Sequence, residues 1–459
     1  MPKGKIKTPL PVTFLIIAFL CPTEFSLFLD GLRIPPHRLA LIALLPIAFG
    51  RLILQKNLKI RSYDLAFIAF NVWTVVIYMY HQGQQEGLVY GGSLALDGLG
   101  AYLVARTWIR DVALFQAALR TMGYAIAAAG LIALPETLLG QHFIHDILRV
   151  ITGYTHPTAV ETRLGLTRAY GTFDHPIHYG TFCAALLAQF WYATTSTMER
   201  RKRAVLLAGA TFLGLSSAPI LCLMLQVGML VWERVTRSTH NRTALTLTAI
   251  AGLYIGASMV MERSPINFIA TGMTLDSWTG YYRLQIWEYG LQNVVANPWT
   301  GIGLNDWERP WWMISSTVDA FWLVIAMREG LPGIASILLG IALIMRAVVK
   351  NGLTHRDAQV RRLSRGWIMS LIALSLVGCT VHYWNVLYAF FFFFIGLAGW
   401  MSDPAKVRSA ARSKYRGSNR PSSAPSRSPA PAPQPGRPAY PDRYPAPQPG
   451  GYGHIPRPA

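Results

Sequence analysis

Charge is scarce in this chain. Only 14% of its 459 residues are Asp, Glu, Lys or Arg, against 52% hydrophobic, too little to cover the surface of a soluble protein of this length. That shortage excludes an ordinary water-soluble fold and leaves the bilayer as solvent. Cysteine is scarce too. Cys21, Cys183, Cys222 and Cys379 fall in or beside apolar segments, far apart and without CxxC or Cys/His ligand spacing, which excludes a disulfide framework. We expect free thiols, no metal and no other cofactor. The first apolar stretch lacks a small-residue cleavage pattern and continues past Pro22, so it is expected to be a retained helix and not a signal peptide. No internal repeat relates the two halves.

What the chain has in quantity is apolar sequence in runs of about 18 or more residues, long enough to cross a ~30 Å hydrocarbon core as helix. They predict an all-α polytopic bundle of about twelve transmembrane helices. The expected spans are 11–29, 37–54, 62–80, 88–105, 112–134, 178–198, 204–216, 218–233, 243–260, 318–346, 366–380 and 383–400. Ser216-Ser217-Ala218-Pro219 alone separates the seventh from the eighth, and the Gly-rich fourth carries Asp97, which is expected to face other helices.

Lysine and arginine accumulate in short cytoplasmic loops, so their distribution orients the map. With the N-terminus inside, 32 of the 42 basic residues fall on the cytoplasmic side, among them every lysine. The remainder are arginines: Arg33, Arg38, Arg120, Arg149, Arg163, Arg168, Arg263, Arg283, Arg309 and Arg328. The formal charge of +20 divides into +25 inside and −5 elsewhere. The basic balance therefore reads as topology with both termini cytoplasmic, and not as nucleic-acid binding. After Met401 the composition turns to Pro, Ala, Ser, Gly and Arg, with 14 of the 29 prolines and PAPQPG at 431–436 and 445–450. We expect a membrane domain over 1–401 and a disordered cytoplasmic tail over 402–459. That tail is either plain solvated chain or a segment that binds anionic lipid or a partner.

Two long outer loops, 135–177 and 261–317, hold most of the external polar chemistry. The second carries Trp278, Trp287, Trp299, Trp307, Trp311 and Trp312, a density expected at headgroup depth, where an apolar ring with a polar edge settles. Within it, 281–295 has helical spacing that places Leu284, Trp287, Leu291 and Val294 or Val295 on one face and Arg283 near the start. Guanidinium is always charged and its fork matches phosphate oxygens, so external arginines are candidate anion ligands. The competing reading is that they snorkel or pair with acids.

Several segments resemble one family: Tyr102-Leu103-Val104-Ala105-Arg106, the GTFDHPIHYG run from Gly171 to Gly180, and Arg283, Trp287, Asn297-Pro298, Gly301-Ile302-Gly303, then Glu329-Gly330-Leu331. In this order and spacing the chain resembles the O-antigen ligase and polysaccharide polymerase superfamily over residues 11–400. The resemblance implies a GT-C-like architecture and an inverting, metal-independent glycosyltransferase of the bacterial inner membrane. Such an enzyme takes undecaprenyl-pyrophosphate-linked oligosaccharide on the periplasmic face and makes exopolysaccharide, O-antigen or lipopolysaccharide. Its expected partners are that donor, the lipid bilayer, and a chain-length regulator or other polysaccharide assembly proteins.

Carried onto this sequence, the resemblance implies Arg283, Arg168 and Asp319 as catalytic residues, with Arg163, His175, Arg120 and Trp287 binding substrate. Two departures stand out. Ligases of this family commonly have a histidine before an asparagine where this chain has Val318-Asp319, which favours polymerase over ligase and leaves Asp319 as either a base or a helix N-cap. Many relatives have Ser-Arg in the turn occupied here by Ser216-Ser217-Ala218-Pro219. Arg120 either compensates by facing the cavity or pairs with Asp97. Outside this family, a lipid-linked oligosaccharide flippase or other secondary transporter is the alternative.

Overall fold

A computed structural model describes residues 6–29, 32–154, 158–260 and 277–402. The chain divides into Met1–Ala410 and Ala411–Ala459, and every described residue belongs to the first unit. The expected tail beyond Ser402, and the stretch 261–276 of the second outer loop, lie outside the described residues. Helices make nearly all the regular structure. The strands among the described residues form two short antiparallel hairpins, Leu27–Leu29 with Leu32–Ile34 and Thr162–Arg163 with Leu166–Thr167. All four cysteines are free thiols.

This is an all-α membrane protein. Among the described residues, six helices are long and apolar enough to cross a bilayer: Pro36–Leu54, Ser62–Gln82, Gln84–Trp108, Val112–Leu139, Ser217–Val235 and Phe321–Gly352. Each coincides with one expected span. The other expected spans are also helical but are shorter, broken or less apolar. The first ends as Leu10–Leu20 because Pro22 follows its cap at Cys21, and the chain then turns through the Leu27–Ile34 hairpin. The sixth is split into Pro176–Ala184 and Leu187–Ala193.

The last helix, Asn385–Gly396, is not a peripheral span. From Val386 to Gly396 every residue is buried, so its run of phenylalanines faces protein on all sides. Phe392 stacks on Phe70 at 5.8 Å, Phe390 tilts against Phe182 at 4.9 Å, and Phe393 meets Phe19 edge-on at 5.8 Å. Each such pair contributes about 0.5–1.5 kcal/mol beyond area burial. Inside a bilayer this packing counts more than water release, because lipid tails are as apolar as the side chains.

Asp97 and Asp64 within the spans are paired with arginines. Asp97 sits in a π-helical turn, Leu96–Gly100, inside the fourth span, where Arg38 grips it through Nε at 3.0 Å and Nη2 at 2.8 Å. Arg120, one expected partner of Asp97, instead donates to the Ile6 carbonyl at 2.7 Å. Arg106 binds Asp64 at 3.0 Å, with the Tyr102 hydroxyl on the same carboxylate.

The Asn297-Pro298…Gly301-Ile302-Gly303 and Arg328-Glu329-Gly330 motifs hold each other. The helix Phe321–Ala347 breaks at Gly330, whose φ of 70° and ψ of −175° are available only to glycine. Carbonyls freed around the break accept from the turn: Ile302 N–H to Met327 at 2.8 Å and Gly303 N–H to Arg328 at 3.0 Å. Leu331 N–H donates back to Pro298 at 2.7 Å. A Cβ on Gly330 would lie 2.6 Å from the Trp299 carbonyl oxygen. Gly330→Ala should therefore cost more stability than the ~1–2 kcal/mol of left-handed backbone strain alone and lower the thermal midpoint in detergent. Gly228→Ala, which has open space around its Cβ, should leave the midpoint unchanged or raise it. Equal midpoints for the two variants would contradict the interlock.

Candidate functional site

The loop after Leu139 is shaped by a tight hairpin. Leu164 and Gly165 both have positive φ, 56° and 76°, the conformation of a two-residue turn that matches the strand twist. It pairs Thr162 with Thr167 and Arg163 with Leu166, which sets Glu161 across from Arg168. Arg168 N–H donates to the Glu161 carbonyl at 3.0 Å, and the two side chains form an ion pair. Glu136 then fixes the chain by accepting from the amides of Tyr170 and Gly171 at 3.0 and 2.9 Å.

The entrance to Pro176–Ala184 packs on the 214–219 turn. A Cβ on Gly180 would meet Pro219 at 2.8 Å, and one on Gly214 would meet the Pro176 carbonyl at the same distance. This close approach brings Ser216 to the Arg168 guanidinium, Oγ to Nη2 2.8 Å, and the Leu215 carbonyl to Arg163 at 3.4 Å. The turn has no arginine of its own. Two arginines from the preceding loop reach it instead.

From the other side comes the helix Ser277–Ala296. Its buried face is Ile286, Gly290, Asn293 and Val294, with Leu291 and Val295 exposed, so the apolar face is rotated from the expected one. Gly290 allows the approach, since a Cβ there would lie 2.7 Å from Leu323. Arg283, seven residues before Gly290, is carried on that inward side. Asp319 arrives just before Phe321–Ala347. The helix N-cap is Ala320 without a side-chain cap bond, and the Phe321 amide donates to the Gly378 and Val381 carbonyls at 2.8 and 3.1 Å. Asp319 is therefore not the N-cap.

These elements enclose a cavity of about 180 Å³, lined by Arg163, Arg168, Arg283, His175, Asp319 and Glu161 together with the 216–218 turn. Arg168 is 3% exposed, yet its Nε has no hydrogen-bond partner among the described residues, and the same is true of the buried Nε of Arg283. Desolvation lowers the Arg283 pKa, opposed by Asp319 and reinforced by the Arg168 charge. Desolvation raises that of Asp319, and Arg283 pulls it back. His175 is lowered to about 4 by burial and then by Arg168, so its imidazole is neutral at physiological pH. Its Nδ1 accepts from the Ile177 amide at 3.1 Å, which leaves the proton on Nε2 and makes that nitrogen a donor.

Two expected site residues lie elsewhere. Arg120 is held by the Ile6 carbonyl and does not line the cavity. The Trp287 indole N–H donates to the Cys379 carbonyl at 2.8 Å, so Trp287 ties its helix to the turn before Asn385–Gly396. Glu161 lines the cavity without having been singled out in the sequence, and so does Ser216, which the sequence marked only as part of a turn lacking an arginine. Glu161 was readable from the Leu-Gly turn and its hairpin register, whereas Ser216 depends on packing between distant segments. Four outer tryptophans are exposed, Trp278 at 64%, Trp299 at 70%, Trp311 at 92% and Trp312 at 37%, while Trp307 is buried with its indole on the Ser316 carbonyl.

No protein-family model matches the sequence, and no curated protein matches it.

The neutral His175 gives a pH signature. The unfolded chain takes up a proton near the ordinary histidine value, whereas the folded site resists it down to about 4, so stability should fall as pH drops across that window. His175→Asn keeps an acceptor for the Ile177 amide and should show a shallower loss of thermal midpoint between pH 7 and pH 4. Identical slopes for wild type and variant would remove this account of the site.

Proposed function

We propose that this protein is a glycosyltransferase of the bacterial inner membrane that takes undecaprenyl-pyrophosphate-linked oligosaccharide on the outer face and joins it to an acceptor sugar. The observation that carries the reading is the convergence of Arg163, Arg168 and Arg283 with Asp319 in one cavity, where the Nε of Arg283 and that of Arg168 have no hydrogen-bond partner among the described residues. A guanidinium N–H left unsatisfied in a largely desolvated cavity is costly unless a ligand supplies the acceptor. The cavity is small and lined by three guanidinium groups, which suits a diphosphate, and exposed tryptophans on the neighbouring loop suit a site at headgroup depth. The charge asymmetry along the sequence supports about twelve crossings with both termini in the cytoplasm, which sets this cavity on the periplasmic side.

On this reading the acceptor hydroxyl oxygen attacks the anomeric carbon as the C–O bond to the diphosphate breaks, inverting the configuration. The hydroxyl proton passes to Asp319, and the electron pair leaves on the diphosphate oxygen. Arg283 and Arg168 stabilise the negative charge that grows there, with Arg163 beside them. His175 offers its Nε2–H to the same anion. Burial raises the affinity of Asp319 for a proton, which suits a base. The Val318-Asp319 pair in place of His-Asn favours polymerase over ligase.

The test is product formation by purified protein supplied with undecaprenyl-pyrophosphate oligosaccharide. Arg283→Ala should lower the rate by about 100-fold or more, and Arg283→Lys, which keeps charge without the fork, should fall between the two. Wild-type rates in Arg283→Ala would remove the mechanism. Asp319 must be ionised to act, and its pKa is raised, so the wild-type rate should climb with pH through a range above the ordinary carboxylate value. Asp319→Asn should be slower and lose that rise. One observation favours a secondary transporter instead, namely carboxylates buried within spans at Asp97 and Glu329. Movement of lipid-linked sugar across proteoliposomes without bond formation would decide for it.

A further inference from the structure

The helix Ser217–Val235 begins at the cavity just described and ends in a second one. Its 19 residues at ~1.5 Å each span about 28 Å, close to a hydrocarbon thickness, so the two cavities sit near opposite faces of the bilayer. The second cavity, about 670 Å³, is lined by Arg200, Arg234, Arg237, Arg362 and Arg365 with Glu233 as the one carboxylate in its wall. Glu233 is already engaged, by Arg365 at 2.9 Å and by the Tyr192 hydroxyl.

Arg200 and Arg362 converge without an acid between them. Each donates through Nη2 to the same Thr194 carbonyl, at 2.9 and 3.2 Å. Arg200 also lies over the Trp191 ring at 4.9 Å, and its buried Nε has no hydrogen-bond partner among the described residues. Two like charges held on one carbonyl repel, and a bridging anion relieves that repulsion. The remaining wall is apolar and open sideways, with Val227 48% and Val231 55% exposed along the same helix face. A basic floor joined to an apolar side wall is the shape of a phospholipid, with a phosphate at one end and an acyl chain at the other.

We propose that this pocket binds an anionic phospholipid of the cytoplasmic leaflet, its phosphate between Arg200 and Arg362 and one acyl chain along Val227 and Val231. The site is independent of glycosyl transfer and stands or falls separately from it. The occupant is a membrane lipid and not free phosphate, because the apolar wall extends the site by a length that inorganic phosphate cannot use.

The test uses full-length protein in neutral detergent with fluorescent phosphatidylglycerol, fluorescent phosphatidylcholine and inorganic phosphate as probes. Phosphatidylglycerol should bind more tightly than phosphatidylcholine, and Arg200→Gln/Arg362→Gln should weaken it by about 30-fold. Arg201→Gln/Lys202→Gln removes the same charge from exposed positions outside the pocket and should retain most of the binding. Equal affinity for the two lipids overturns the proposal, as does an equal loss in both double variants. Displacement of the lipid by inorganic phosphate at matching concentration overturns it by assigning the site to a soluble anion. If the glutamine pair does not fold, the wild-type preference between the two lipids and retained binding in Arg200→Lys/Arg362→Lys decide the question.

Discussion

Hydrocarbon solvates no charge, so every guanidinium in this fold has to be paired, drawn out to water or held for an anion. The spans show the first solution. Arg38 closes on Asp97 and Arg106 on Asp64, each through a fork of hydrogen bonds; losing one partner of such a pair costs about 3–5 kcal/mol, because the other charge stays buried. Those pairs fix neighbouring helices in register. Arg283 and Arg168 meet at the outer cavity, where Arg168 pairs with Glu161 and Arg283 faces Asp319, and each keeps an Nε that no described residue satisfies.

The geometry of the cavity depends on backbone fit more than on the charged side chains themselves. The break at Gly330 presents carbonyls that the Gly301–Gly303 turn caps, and this interlock, with the small Gly290 contact, brings Ser277–Ala296 beside the start of Phe321–Ala347. Arg283 and Asp319 become neighbours as a result. On the other wall, Gly180 and Gly214 let the 214–219 turn press on the entrance of Pro176–Ala184, and Arg168 reaches Ser216. Trp287, expected to bind substrate, and the motif glycines are the parts that hold the charged residues in place.

Much of this was legible in sequence where the signal is local. Six expected spans coincide with helices long and apolar enough to cross a bilayer, because length and apolarity are properties of one segment. Arg163, Arg168, His175 and Arg283 were drawn from the two outer loops and Asp319 from the start of the span that follows the second, and one cavity gathers them. Arg120 shows the limit. It stands in an apolar helix like any intramembrane charge, and only the position of Ile6 shows which carbonyl holds it. The face of Ser277–Ala296 was rotated for a related reason: Gly290 is the contact point, and an apolar-spacing argument gives glycine no weight.

The sequence by itself determined the solvent, the class of fold and the candidate chemistry, since composition, run length and charge placement are summed along the chain and need no partners. Tertiary structure alone decided which candidates meet. Asp319 ceased to be a helix cap, the Phe-rich last segment proved buried on all sides, and Glu161 and Ser216 came to line the site. Each of these turns on contacts between segments tens to hundreds of residues apart or on a tight local turn. Burial, pairing and cavity shape are set by such contacts, and no single segment encodes them.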